Sequence, residues 1–351
     1  MRSKKFGHDY DARMIENNGP LVFDNSAYKM LSNMMLMKDP PDHKRIRELS
    51  VKASGAAKIN DMQPQIQSIV DDLIADLKTK NGGDLLHQFA FKLPVLVICS
   101  MLGIPKSDWD RFLSGTNVSG RLIDPTPLST EELAQENDGA VESRAYFDEL
   151  CQKRLSKPEN DLITALVQTE TDEGRLSRDE LTANITLLFG AGHETTVNLI
   201  GNGLLALFKN PRQLERVKSS RNLIPNAVEE LLRYDSSVQL TGRTALQDTT
   251  IDGGEIKKGQ EVLTFLGAAN RDPEHYIDPD ELDVGRERIK PVSFGGGIHT
   301  CIGAQLSRIE ATIAFNSIFE QLPQLKLTEI DRPQWKPTIT LRGLSQLPAS
   351  W

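Results

Sequence analysis

Apolar residues recur at three- and four-residue steps through the middle of the chain. Ile66, Ile69, Leu73 and Leu77 mark one helical face, and Leu181, Ile185, Leu188 and Phe189 mark another. The text from Lys58 to about Phe208 reads as mainly helical, with one helix running from Leu181 to Leu207. From Val238 to Phe265 the pattern shortens to β-rich pieces. Thr249-Thr250-Ile251 and Glu261-Val262-Leu263-Thr264-Phe265 flank an Asp252-Gly253-Gly254 turn and Gly259, which predicts a small sheet. A last helix follows Gly303, with Leu306, Ile309 and Ile313 on one face, and Thr338 to Leu347 reads as a closing hairpin. The expected class is mainly α with a small β region. No Gly-, Ser- or Pro-rich linker and no fixed-period repeat interrupts the pattern, so residues 1–351 are expected to form a single domain.

Composition narrows the partners. The chain has 351 residues, 38% hydrophobic and 26% charged, a balance suited to a water-soluble globule. A net charge of -8 argues against wholesale nucleic-acid or anionic-membrane binding. The run Leu93 to Pro105 is broken by Pro94, Ser100 and Gly103 and falls short of the ~20 residues that span a bilayer, so no membrane insertion is expected. Residues 1–10 lack an apolar signal core, which sets a cytoplasmic expectation, and the odd set Cys99, Cys151 and Cys301 fits a reducing compartment.

Cys301 stands apart from the other two cysteines. Phe294-Gly295-Gly296-Gly297-Ile298-His299-Thr300-Cys301-Ile302-Gly303 places three glycines before the cysteine and opens into the last helix. A helix N-terminus lowers a thiol pKa and favours the metal-binding thiolate, and glycines let the backbone approach a flat cofactor. A tetrahedral zinc site would need further Cys or His ligands nearby, and no C-x-x-C-H for covalent haem attachment is present. On this segment alone, a buried structural cysteine after a Gly-rich turn remains the alternative.

The segment resembles the haem-binding loop of the cytochrome P450 family, F-x-x-G-x-x-x-C-x-G, matched at Phe294, Gly297, Cys301 and Gly303. The resemblance implies that Cys301 is the axial thiolate of a haem b, whose electron donation favours O–O cleavage. It extends to Ala191-Gly192-His193-Glu194-Thr195-Thr196, similar to the family's A-G-x-[DE]-T, which implies that Glu194 and Thr195 deliver protons and that Ala191 lies against the cofactor. In the helix itself, Gly190 and Gly192 each cost up to ~1 kcal/mol relative to Ala, and Thr195 is placed to bond back to a carbonyl one turn earlier.

Glu230-Leu231-Leu232-Arg233 resembles the family's E-x-x-R, with Arg286 as third partner. Asp39-Pro40-Pro41-Asp42-His43 followed by Arg47 resembles its D-P-P-D-H-x-x-x-R, and His43, Arg47, Arg243 and His299 are the implied propionate contacts. Leu188, Val238, Leu240 and Ile339 are implied to line an apolar substrate pocket.

The implied protein is a bacterial-type monooxygenase, expected to be a monomer. It would insert one atom of O2 into a small organic substrate with NAD(P)H electrons, which arrive from a ferredoxin or flavodoxin and its reductase. Arg288, Lys290 and Arg308 are candidates for the docking patch. A peroxide-driven enzyme is disfavoured by the retained Glu194-Thr195. A truncated haem-binding protein without turnover is the other alternative, since family members usually have a further N-terminal section whose helix and strands are not expected here. Their lack would leave a sheet edge exposed.

Overall fold

The structure is a computed structural model and describes residues 3–114, 120–170 and 174–351. Among them the chain forms fourteen α-helices and eight short strands. Seven helices surround the site: α1 (Asp42–Ser54), α2 (Gln63–Lys78), α3 (Lys92–Leu102), α4 (Thr130–Ser156), α5 (Arg178–Lys209), α6 (Ile224–Tyr234) and α7 (Ala304–Gln321). The strands are β1 (Phe6–Gly7), β2 (Gly82–Asp84), β3 (Leu240–Ala245), β4 (Thr249–Ile251), β5 (Gly254–Ile256), β6 (Glu261–Phe265), β7 (Lys326–Leu327) and β8 (Pro348–Ser350).

The helix α5 organises the body. Its 32 residues span about 48 Å at 1.5 Å per residue. It starts on a capping box in which Ser177 Oγ accepts from the Glu180 N–H at 3.2 Å while Glu180 accepts from the Ser177 N–H at 2.8 Å. Glu180 also pairs with Arg45 of α1, so one carboxylate both caps α5 and ties it to α1. Farther along, a Cβ at Gly203 would meet the Phe315 ring at 2.8 Å, so glycine there lets α7 lie close against α5.

One core layer joins Ile66, Val70 and Leu77 of α2 and Leu93 of α3 to Ile200 and Leu204 of α5, Leu231 of α6 and Phe315 of α7. Ile66 and Leu77 come from a stripe read in the sequence, and each fully buried side chain contributes roughly 1.5–3 kcal/mol. A second layer packs Cys99, Phe147 and Cys151 against Ile185 and Phe189 of α5. Burial pushes the Cys99 and Cys151 thiols up to about 12, which leaves both as small apolar core groups.

The β region differs in pairing from the expectation. β4 closes a hairpin with β5 around Asp252-Gly253, whereas β6 pairs antiparallel with β3, Leu240 opposite Phe265 and Thr244 opposite Glu261. The Gly253 φ of +83° explains the tight turn, which returns the chain at Gly254, before Gly259 is reached. β1 adds to β3 on its other side, in the order β1-β3-β6. Among the described residues no strand covers the outer edge of β6, where Phe265 is 56% exposed.

The tail also departs from a regular hairpin. Within 335–344 only the bridge Trp335–Leu344 forms, and Leu341 bridges to Val238. The true terminal strand, β8, pairs with β2 and β7. Asp124 supplies the reason. Its buried carboxylate accepts from the N–H groups of Ile339 and Thr340, both at 3.0 Å, and takes the place of a partner strand. Among the described residues, no helix is long and apolar enough to cross a membrane.

Candidate functional site

The cysteine loop is held by its own backbone. The Cys301 N–H donates to the Phe294 carbonyl at 3.0 Å, and Gly295 and Gly297 take φ values of +70° and +72° that other residues rarely adopt. α7 begins at Ala304 with Gly303 as its N-cap, so Cys301 stands just outside the helix. The N–H groups of Gly303 and Ala304 still reach the sulfur. The residue keeps open surface on one side while protein crowds it on the other. Burial pushes the thiol pKa up, against the pull of those amides and of Arg47 and Arg308. The expected lowering by the helix end therefore loses to desolvation in the protein alone, and bond formation to a metal ion is what would remove the proton.

Next to this loop lies a set of hydrogen-bond donors with little to donate to. His43 and Arg47 stand one turn apart on α1, and Arg47 donates to the Thr300 carbonyl at 2.5 Å, one residue before Cys301. The His43 and His299 rings are 4.1 Å apart, and His8, which the sequence reading missed, lies edge-on to His299 at 4.8 Å. The Nε2 atoms of all three are buried without a partner. Arg243, on β3, bonds only within its own strand, to Thr241 at 2.9 Å and to the Gly242 carbonyl at 2.6 Å.

Burial, reinforced by the neighbouring cations, lowers His8 to about 3 and His299 to about 2, and His43 shifts the same way. The nearest acid, Asp39, already accepts from the His8 and Asp9 N–H groups. Donors gathered without an acceptor fit a ligand carrying carboxylates. The sequence signal for His8 was slight, a histidine just before the short helix Tyr10–Asn18, because its proximity to His299 is purely tertiary.

Across from the loop, α5 runs unbroken through Gly190 and Gly192, so the expected local defect is a matter of hydrogen bonding. Thr195 Oγ1 donates back to the Ala191 carbonyl at 2.9 Å, as its position predicted, and Ser237 Oγ donates to the Thr195 carbonyl at 2.8 Å. Packing of the flanking turns outweighs the glycine cost. Glu194 pairs with Lys336 at 3.2 Å. His193 turns away toward Phe91 and Phe189, with ring centroids at 5.9 and 5.6 Å, and burial lowers its pKa.

Among the expected pocket residues, Leu188 and Val238 are half-buried, Leu240 is buried and Ile339 is half exposed, and Ala191 is open on α5. Asp124, whose carboxylate fixes Ile339 and Thr340, also lay outside the sequence reading. Burial alone would raise its pKa, but bonds from Thr126, Thr340 and Ile339 hold it below the usual carboxylate range.

The buried ion network sits behind the loop. Arg233 pairs with both oxygens of Glu230, at 2.7 and 2.8 Å, and donates to the carbonyls of Asn270, Pro279 and Glu281. Arg286 joins through Glu230 at 3.1 Å. Arg308 is not free for a partner, since it pairs with Glu229 and covers the Phe294 ring at 4.5 Å. Arg288 and Lys290 are exposed. Among the described residues, no cluster of three or more His, Cys, Asp or Glu is placed to hold a metal ion.

A mostly helical body, with one cysteine on a glycine loop beside a set of unpartnered buried imidazoles, has the features that a flat, carboxylate-bearing cofactor needs. The family model described as Cytochrome P450 matches residues 122–339. A putative cytochrome P450 133B2 of Xylella fastidiosa (strain 9a5c) is 36% identical over 349 residues, 99% of this chain and 87% of that protein. The crystal structure of P450BioI with a hexadec-9Z-enoic acid-ligated acyl carrier protein superposes with a TM-score of 0.90 at 34% identity, covering 100% of this chain and 88% of that one. Myxobacterial CYP267B1 in complex with myristic acid gives 0.90 at 36% identity, over 99% and 86%.

The chain belongs to the cytochrome P450 family. It is accordingly a haem monooxygenase that uses O2 with NAD(P)H electrons passed through a separate redox partner.

Proposed function

We propose that Cys301 supplies the thiolate to the haem iron, and that His43, Arg47, Arg243 and His299, together with His8, hold the propionates. When bound, the haem supplies the activation of O2 for insertion into a C–H or C=C bond. The chain's own residues do the rest. The amides of Gly303 and Ala304 and the Arg47 guanidinium favour the charged sulfur. The Phe294 carbonyl fixes the Cys301 N–H, and the positive-φ glycines keep the loop flat against the ring. Glu194 and the Thr195 hydroxyl would move protons from solvent, and the small, exposed Ala191 would leave room for the bound cofactor. Glu230, Arg233 and Arg286 are structural, pinning the segment 270–286 to α6.

The single observation that carries this reading is the set of unpartnered imidazoles beside the Cys301 loop, which no protein carboxylate satisfies. Leu188, Val238, Leu240 and Ile339 favour an apolar organic substrate. Fatty acids are the first probes, because P450BioI and CYP267B1 are both seen with fatty-acyl molecules. The electron donor is a ferredoxin or flavodoxin that meets Arg288 and Lys290 on the exposed surface near the loop.

The test is the absorption of the dithionite-reduced, carbon monoxide-treated protein. The wild type should show the far-red Soret band of thiolate ligation, and Cys301→His should move it to the position of histidine ligation. An unchanged band in Cys301→His would refute the assignment.

A further inference from the structure

We propose that Lys336 is a positioning residue for proton delivery, pairing with Glu194 to hold its carboxylate between solvent and the Thr195 hydroxyl. This rests on Glu194 and Thr195 being the proton relay.

The geometry separates the two relay groups. Thr195 Oγ1 is bonded to the Ala191 carbonyl at 2.9 Å, while Glu194 Oε1 is bonded to Lys336 Nζ at 3.2 Å. What orients the carboxylate is therefore the lysine. The Lys336 and Glu194 side chains are 33% and 22% exposed, so the pair lies at the rim of the site and not in the core. The other titratable neighbour, His193, is buried against Phe91 and Phe189 and offers Glu194 no competing bond.

The Lys336 backbone is clamped onto α5. Its N–H donates to the Gly343 carbonyl at 2.9 Å, and Trp335 bridges Leu344. The Arg342 guanidinium lies 3.6 Å from the Trp335 ring centroid and pairs with Asp235 at 2.7 Å. Asn202 of α5 donates to the Arg342 carbonyl at 3.0 Å, and a Cβ at Gly343 would sit 2.0 Å from Asn198 Oδ1. Only the four-carbon lysine stem is left to move. A partly exposed ion pair is weak enough to break and re-form within a turnover.

An ammonium keeps a hydration shell and offers three donors, so it brings water to the carboxylate. In the step that follows, the pair opens, the Glu194 carboxylate takes up a proton from solvent and passes it, directly or through water, to the Thr195 hydroxyl oxygen, as that hydroxyl gives its own proton to the oxygen atom that leaves as water. The proton enters on the Lys336 side, and no electrons move. The overall balance is one C–H, one O2, one NAD(P)H and one proton to an alcohol, water and NAD(P)+.

The test uses the holoenzyme with a ferredoxin, its reductase and NADPH. Myristate is the probe, and NADPH consumption is followed in H2O and D2O, since consumption is measurable whether or not the probe is turned over. Lys336→Met should keep haem content and the myristate affinity within about twofold but slow consumption roughly tenfold with a larger solvent isotope effect, and Lys336→Arg should restore both.

Glu194→Gln is the control. A slow Glu194→Gln beside a Lys336→Met of wild-type rate and isotope effect would overturn the role of Lys336 alone. Wild-type behaviour of Glu194→Gln would overturn the relay reading and the role of Lys336 with it. If Lys336→Met and Lys336→Arg are both slow with haem lost, the lysine is a structural residue and the proposal is wrong.

Discussion

Replacing Arg233 by Met removes a guanidinium whose side chain is completely buried, as is that of Glu230. The carboxylate of Glu230 would keep Arg286 at 3.1 Å and the Asp283 N–H at 2.9 Å, so it loses one of two cations. The Glu281 carbonyl would keep Arg286, but the carbonyls of Asn270 and Pro279 would lose the Arg233 donor. Orphaning buried acceptors costs about 1–3 kcal/mol each, and breaking a buried pair from one side costs about 3–5 kcal/mol in all. A loss of about 4 kcal/mol follows.

With an unfolding entropy of about 2.1 cal/mol/K per residue over the whole chain, that is a fall of roughly 5 °C in Tm. The partner change Glu230→Leu should cost a similar amount, since it leaves Arg233 and Arg286 without their anion. The double variant removes both charges, so it should be more stable than the sum of the singles predicts, by at least about 1–2 kcal/mol. Thermal unfolding of the four proteins measures this cycle. Strict additivity, or an Arg233→Met protein melting within about 1 °C of wild type, would refute the reasoning.

The acid limb of stability should depend on His8. Its pKa is held near 3 in the folded chain, against about 6.5 unfolded, so below pH 6.5 the unfolded state takes up a proton that the folded state refuses. Stability of the cofactor-free protein should therefore fall as pH drops from 6.5 toward 3, and His8→Phe should flatten the slope by up to about 1.4 kcal/mol per pH unit in denaturant titrations. An unchanged slope would show that His8 is already charged when folded. Asp124→Ala should leave the Ile339 and Thr340 N–H groups unpaired, costing about 1–3 kcal/mol and raising KM for an apolar substrate more than it lowers kcat. Steady-state kinetics showing the reverse split would count against a wall-fixing role. His193→Phe should keep the packing with Phe91 and Phe189 and change stability by less than about 1.5 kcal/mol, as read from chemical denaturation.

The helical body was legible because its apolar faces repeat locally. α5, expected from Leu181 to Leu207, runs from Arg178 to Lys209 once the Ser177 cap is included. The Glu230–Arg233 pair and the His43–Arg47 turn were legible for the same reason, each spacing fitting a single helix face. Strand partners were not. β4 and β6 are close in sequence, yet β6 joins β3, and nothing in a period-two pattern chooses between neighbours. Asp124 and His8 escaped because their meaning lies in contacts with Ile339, Thr340 and His299, more than two hundred residues away. Arg308 looked like a free surface cation until its place over Phe294 and against Glu229 was known. The Cys301 motif suggested a lowered thiol pKa, whereas burial raises it, since a local pattern shows the helix end and hides the burial.

The shared carboxylate of Glu180 ties the start of α5 to α1. It caps the first turn of α5 and grips Arg45, two residues before Arg47 on the helix that faces the cysteine loop. Removing that one carboxylate should loosen both contacts together: the first-turn cap of α5 and the grip on the helix that carries His43 and Arg47.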